Sequence, residues 1–281
     1  MKLFLASTWA WPRLFWISRN ATRTLHFLRK MGRTLSVVRP YRRTWRPFSA
    51  GVAQPVHWQM NYVRHPRFAK SPQQYIRAFL LLQKDLLELF DFVEPADVNL
   101  TCYSFRIHEL LTRTCIEIEA NFKAILAENG YSKRRNWNMG DYKKLDATHH
   151  LSSYRVKAPQ WNGRNDIFSP FSAWTNAGLL TWYDAYNLAK HDRHQEFGEA
   201  NLCNLLNAIC GLVAILASQF HTEAFLRQSY LTTRSPDDGW ELAIGDYFLV
   251  SFPSNWLTTD RYEFIWNQLD ADPDPFQHLT F

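Results

Sequence analysis

The chain has 281 residues, 46% of them apolar and 16% aromatic, which is enough to bury a sizeable core and excludes a disordered or low-complexity protein. Its net charge of +6 conceals a split, because residues 1–84 hold 16 of the 32 lysines and arginines and no acid, whereas the remainder sets 16 bases against all 26 acids. An acidic body argues against a dedicated nucleic-acid-coating protein, and four cysteines without a CxxC pair point to a reducing compartment and no disulfide framework.

The chain opens on a basic arm. Arg13, Arg19, Arg23, Arg29, Arg33, Arg39, Arg42, Arg43 and Arg46 stand among Ser, Thr and Trp, the composition of an amphipathic targeting presequence. The same composition fits a disordered extension over residues 1–59, or upstream reading frame with Met60 as the natural first residue, and both readings stay open. The apolar run from Leu3 to Trp16 is broken by Pro12 and Arg13, too soon to cross a bilayer. No integral membrane segment is expected, and the compartment is cytoplasmic unless residues 1–59 act as a presequence. The arm suits phosphate backbones or an anionic membrane surface.

Ser71-Pro72-Gln73-Gln74 offers a cap and a first-turn proline, and apolar residues then recur at Ile76, Phe79, Leu80, Leu86, Leu87, Phe90 and Val93, so a helix is predicted as far as Pro95. A second helix spans about Asn99 to Asn129, closed by Gly130, with Glu109/Arg113 and Glu119/Lys123 at the spacing of helical ion pairs. Residues 131–166 lose periodicity and read as a long connection carrying a short helix near Asp141 to Leu151. Helical character resumes after Ser169-Pro170 and continues to about His191, and a nearly all-apolar fourth helix follows from Glu199 to Phe225. Its Asn204, Asn207 and Gln219 favour a buried central helix over a membrane span. Glu241 to Phe252 reads as a hairpin turning on Gly245-Asp246, and Asp260 with Glu263 would cap a short last helix holding Phe264, Ile265, Trp266 and Leu269.

The densest set of reactive side chains is Trp182-Tyr183-Asp184-Ala185-Tyr186-Asn187-Leu188-Ala189-Lys190-His191-Asp192-Arg193-His194. On a helix Asn187 and His191 share a face, as do Lys190 and His194. Such a group holds a proton acceptor near neutral pH beside cations able to grip a phosphate, and RNA cleavage needs a base for the 2′-hydroxyl and charge on the pentavalent phosphate.

This stretch resembles the signature of the HEPN superfamily, in which an Arg, usually followed by a polar residue such as Asn, precedes a His by four to six residues. Here Asn187 and His191 keep that spacing and Tyr186 stands where the family has Arg. Helix pattern extends the resemblance over about residues 70–225. It implies an all-α, four- to five-helix up-and-down bundle, here with a small C-terminal α/β extension, and a homodimer. It also implies a metal-independent endoribonuclease, or a degraded relative that binds RNA or a nucleotide. His191 would be the base, Asn187 would orient it, and Arg193, Lys190 and His194 would contact phosphate. No cofactor or metal is implied.

Three other readings compete. The cluster also fits a structural helix end whose basic groups complement the helix dipole, which would make the chain a non-enzymatic protein-interaction module. His191 and His194, with His149, His150, Asp184 and Asp192, would be the ligands of a metal enzyme, although no HExxH or Cys/His set is present. Lys133-Arg134-Arg135 beside Trp137 forms a local basic and aromatic patch, which reads as a solvated turn or an RNA contact. The tryptophans elsewhere read as core residues.

Overall fold

The structure is a computed structural model and describes residues 36–52, 59–132, 136–225 and 239–281, with Arg193 described by its backbone alone. Residues 1–35 and Lys133-Arg134-Arg135, and with them the presequence and basic-patch readings, lie outside the described residues.

Four long helices carry the fold: α1 (Pro72–Phe90), α2 (Phe105–Glu128), α3 (Thr181–His191) and α4 (Leu202–Phe220). Helix α4 is central and packs against the other three. Its composition explains the position, since from Ala208 to Phe220 every residue is buried and all but the hydrogen-bonded Gln219 are small or apolar, so no charge is desolvated. At Gly211 a Cβ would stand 3.4 Å from Phe171 and 3.6 Å from Trp182, ordinary contact distances that show how closely α3 and the turn before it pack on α4. By length and composition α4 could cross a membrane, yet 83% of its apolar window is buried inside the fold.

Ends depart from the sequence pattern where backbone partners intervene. Ser71 sits at φ 48° and makes no side-chain cap, and α1 stops at Phe90. Helix α2 starts at Phe105, with Ser104 Oγ accepting from the Ile107 N–H at 3.2 Å. The residues before it are drawn into another pairing, in which Leu202 N–H donates to Cys102 at 2.8 Å and Cys203 N–H to Leu100 at 2.9 Å. The helix expected from Ser169 to His191 divides into a 3-10 turn, Ser172–Asn176, and α3, because Ala177 at φ 58° reverses the chain. In the long connection Asn138 and Asp141 form a capping box on a single turn, Met139–Tyr142. Near the end of the chain Trp266–Leu269 is a helical turn, but Asp260 and Glu263 do not cap it.

A small antiparallel sheet qualifies the all-α expectation: the protein is mainly helical. Strands β1 (Arg155–Lys157), β2 (Ile167–Phe168), β3 (Glu241–Leu242) and β4 (Leu249–Ser251) lie in the order β2-β1-β4-β3. Val156 stands opposite both Phe168 and Val250, and this buried row faces α4. The C-terminal hairpin is therefore no separate extension, because β4 completes a sheet begun in the central connection. Its turn is wider than two residues, and Ala243 N–H reaches the Phe248 carbonyl at 2.9 Å to close it.

The larger departure concerns the basic arm. Residues 37–48 form a strap between the helices and the C-terminal segment, with bridges from Val37 and Phe48 to Tyr262 and from Tyr41 to Gln277. Arg43 is fully buried: Nε donates to Glu128 at 2.7 Å, Nη1 to Gln219 at 2.9 Å and Nη2 to the Lys70 carbonyl at 2.7 Å. The Gln219 amide passes on to Asn121 at 2.9 Å, so one polar chain links strap, α4 and α2. Arg39 pairs with Asp272 and Arg42 with Asp274, each at 2.7 Å. Arg46 donates to the carbonyls of Asp260 and Thr148, each at 3.1 Å. A chain begun at Met60 would leave the Glu128 carboxylate and the Gln219 amide oxygen without Arg43, so over residues 36–52 the arm is part of the folded body.

Candidate functional site

The expected site lies on α3 and the turn after it. Helix α3 buries Trp182, Ala185, Tyr186 and Ala189, and Trp182 Nε1 donates to the buried Pro170 carbonyl at 2.8 Å. At about 100° per residue, the nine positions from Trp182 to His191 amount to two and a half turns. His191 therefore points away from the core and is exposed, and Asn187, one turn before it, lies on the same outward side. Among the described residues no hydrogen bond or ion pair joins Asn187, His191 and His194 to one another or to a third group.

Tyr186, at the motif arginine position, faces inward instead. Its hydroxyl accepts from Lys190 Nζ at 3.3 Å, and the ammonium stands 5.3 Å from its ring centroid. Lys190, itself exposed, is thus folded back along the helix onto Tyr186. Asp192 ends α3 and accepts from the Gln195 N–H at 3.3 Å, which starts the next turn, Arg193–Glu196. The Arg193 side chain lies outside the described residues. The structure brings Asn187 and His191 to the outward side of α3, turns Lys190 aside, and leaves His194 exposed on the following turn.

Sequence reasoning missed His108. From α2 its Nε2 comes within 3.4 Å of the Ala189 carbonyl, in the last turn of α3, and its ring lies 5.9 Å from Phe197. No local signal could have revealed this contact, since the two residues belong to helices distant in sequence. Farther up α3, Tyr183 donates to Glu119 at 2.9 Å, and Glu119 also pairs with Lys123 at 3.1 Å. Burial, followed by that hydrogen bond, pushes the Tyr183 hydroxyl well above the usual phenol range, so it acts as a fixed donor and not as a base.

The alternative metal set does not assemble. His149 is fully buried at the strap, with Nε2 3.0 Å from the Arg43 carbonyl and Nδ1 2.9 Å from Thr148 Oγ1. Burial holds its pKa down at about 3. His150 instead stacks on Trp256 at 4.0 Å. Among the described residues no group of three or more His, Cys, Asp or Glu side chains is placed to hold a metal ion.

A second surface stands out at the connection between α1 and α2. Phe92 is 82% exposed, Val98 85%, Phe105 67% and Tyr103 54%, and Phe197 lies against two of the four, 4.8 Å from the Phe105 ring and 5.5 Å from that of Tyr103. The connection is pinned beneath these side chains. Asp97 accepts from Trp161 Nε1 at 2.6 Å and from the N–H groups of Arg164 and Asn165 at 2.8 and 3.2 Å, while Asn99 Nδ2 donates to the Glu94 carbonyl at 2.9 Å. Gly163 is required for this latch, because a Cβ there would lie 2.3 Å from the Asp97 carboxyl carbon.

No protein-family model, no curated protein and no solved structure matches this chain.

Proposed function

We propose that this chain is a HEPN-like helical protein that works as a protein-interaction module and does not cut RNA. The carrying observation is the α1–α2 connection, where four large apolar side chains stand open to water on a loop pinned by hydrogen bonds. Single exposed hydrophobes are ordinary, but a cluster on a rigid support marks a surface that another molecule covers. The end of α3 is consistent with the same reading. A general base needs a group that orients it and a cation at the phosphate, and Tyr186 and Lys190 are engaged with each other. Local charge adds to this, since Asp184, Asp192, Glu196 and Glu199 outnumber Lys190 and Arg193 between residues 181 and 199.

The deciding experiment is a metal-free RNA cleavage assay on the full chain, comparing wild type with His191→Ala over a broad RNA panel. The proposal expects no cleavage by either protein. Cleavage that disappears in His191→Ala would overturn it in favour of an endoribonuclease working without the motif arginine.

A second reading, contact with RNA or a nucleotide without cleavage, is favoured by one observation: the half-buried Asn187 and the exposed His191 lie one turn apart on the outward side of α3. Filter binding of labelled RNA that falls severalfold in Asn187→Ala/His191→Ala would support it. The homodimer implied by the resemblance is checked on the same samples by sedimentation velocity.

A further inference from the structure

We infer that the α1–α2 connection docks a basic amphipathic helix of a partner protein, with its apolar side on Phe92, Val98, Tyr103 and Phe105 and its cations against Glu88, Asp91 and Glu94. The inference rests on the interaction-module reading and adds the chemical class of the partner.

The charges around the patch decide that class. From Asp85 to Phe105 the chain carries five acids and no base. Two of the five are already used, Asp85 by Arg113 at 2.5 Å and Asp97 by the latch to Trp161, Arg164 and Asn165. Glu88, Asp91 and Glu94 are exposed, and none has an ion-pair partner among the described residues. Arg106 is paired with Glu109 at 3.3 Å, and the exposed Lys84 and Arg164 flank the acidic stretch without an ion-pair partner among the described residues.

Exposed aromatic side chains suit a bilayer surface, a nucleic acid or a protein. The first two are polyanions here, because cytoplasmic leaflets and phosphate backbones are negative, and three unpaired carboxylates repel both. A cationic polypeptide is attracted by the same carboxylates, so charge supplies orientation and on-rate while the apolar contacts supply affinity. An amphipathic helix matches the shape of the demand, since residues spaced by three and four put one apolar stripe on the patch and lysines or arginines on its flanks.

Rigidity strengthens the case. Consecutive turns close where Asn99 N–H donates to Ala96 at 3.0 Å, Leu100 N–H to Asp97 at 3.3 Å and Cys102 N–H to Asn99 at 2.9 Å. The apolar side chains are thus presented in advance, and a partner does not have to order the loop on which they stand.

The test is fluorescence anisotropy on the full chain with three probes: a labelled 18-residue Leu/Lys amphipathic helix, a matched Leu/Glu helix, and phosphatidylserine/phosphatidylcholine vesicles. The Leu/Lys helix is expected to bind, with affinity falling about tenfold from low to high salt. Phe92→Ser/Val98→Ser should weaken it about tenfold more, and Glu88→Lys/Glu94→Lys should transfer the preference to the Leu/Glu helix. Circular dichroism of each variant guards against unfolding. Vesicle binding in place of the Leu/Lys helix, or Leu/Lys binding unaffected by Phe92→Ser/Val98→Ser, overturns the inference. If the Leu/Glu helix binds wild type and Phe92→Ser/Val98→Ser abolishes that binding, the assigned charge is wrong but the surface still binds proteins. No binding of any probe removes this inference together with the assignment of an interaction surface to the connection.

Discussion

Arg43 in the strap and Glu128 at the end of α2 meet at 2.7 Å with both side chains nearly closed to water. A buried pair is poor evidence of net stabilisation, but removing one partner strands the other charge. Arg43→Met is therefore expected to cost about 3–5 kcal/mol, read as a drop in the urea midpoint of the full chain. Arg43→Met/Glu128→Met should regain part of that loss, and equal midpoints for wild type and Arg43→Met would show that the strap adds nothing.

Two histidines make stability depend on pH. The fully buried His149 is held at about 3 by burial, and the half-buried His221, between the rings of Trp45 and Phe252 at 4.5 and 4.3 Å and with Nε2 3.5 Å from Glu241, is held at about 4 by the same desolvation. Both folded values lie below the unfolded value of about 6.5, so their contribution is complete above that pH and is lost as pH falls toward 4. Each imidazole should add a slope of about 1.4 kcal/mol per pH unit in that window. Urea midpoints at pH 7, 6 and 5 measure the slope, and His149→Phe should make it shallower.

Asp97 offers a local test. Trp161 Nε1 first, and the Arg164 N–H next, hold its carboxyl below the usual range. Asp97→Asn keeps the shape but replaces an acceptor oxygen by an amide donor facing donors. Faster hydrogen exchange at Arg164 and Asn165, with a red-shifted Trp161 emission, is the expected result. Unchanged exchange would show that the carboxylate does not hold this loop.

His191→Ala should leave the urea midpoint within about 0.5 kcal/mol of wild type, as expected for an exposed side chain without a partner among the described residues. A larger loss would place His191 in a structural role at the helix end, where a basic group interacts with the dipole.

Much of the helical framework was legible in the sequence, for reasons visible in particular residues. Ile76, Phe79 and Leu86 recur at helical spacing and are buried on α1, and the apolar run of α4 lies at the centre of the bundle. The pairing of β3 with β4 was legible as a hairpin around Gly245-Asp246, whereas β1 and β2 were not, because they are three and two residues long and no alternation can be seen over that distance. Nor was the strap. Arginine-rich composition reads as solvated, and only Glu128, Gln219, Asp272 and Asp274, all far along the chain, reverse that reading. At the site, spacing alone put Asn187 and His191 on one face, whereas the inward turn of Tyr186 and the approach of His108 depend on what packs against α3.

The strap also sets an order of events in folding. Its residues are among the first of the described chain to be synthesised, yet Tyr41 N–H needs the Tyr262 hydroxyl, Gln277 N–H needs the Pro40 carbonyl and Arg42 needs Asp274. None of these contacts can close until residues 262–277 have been made. Loops of that length form late and slowly, so the helices are expected to collapse first and the strap to lock over them last.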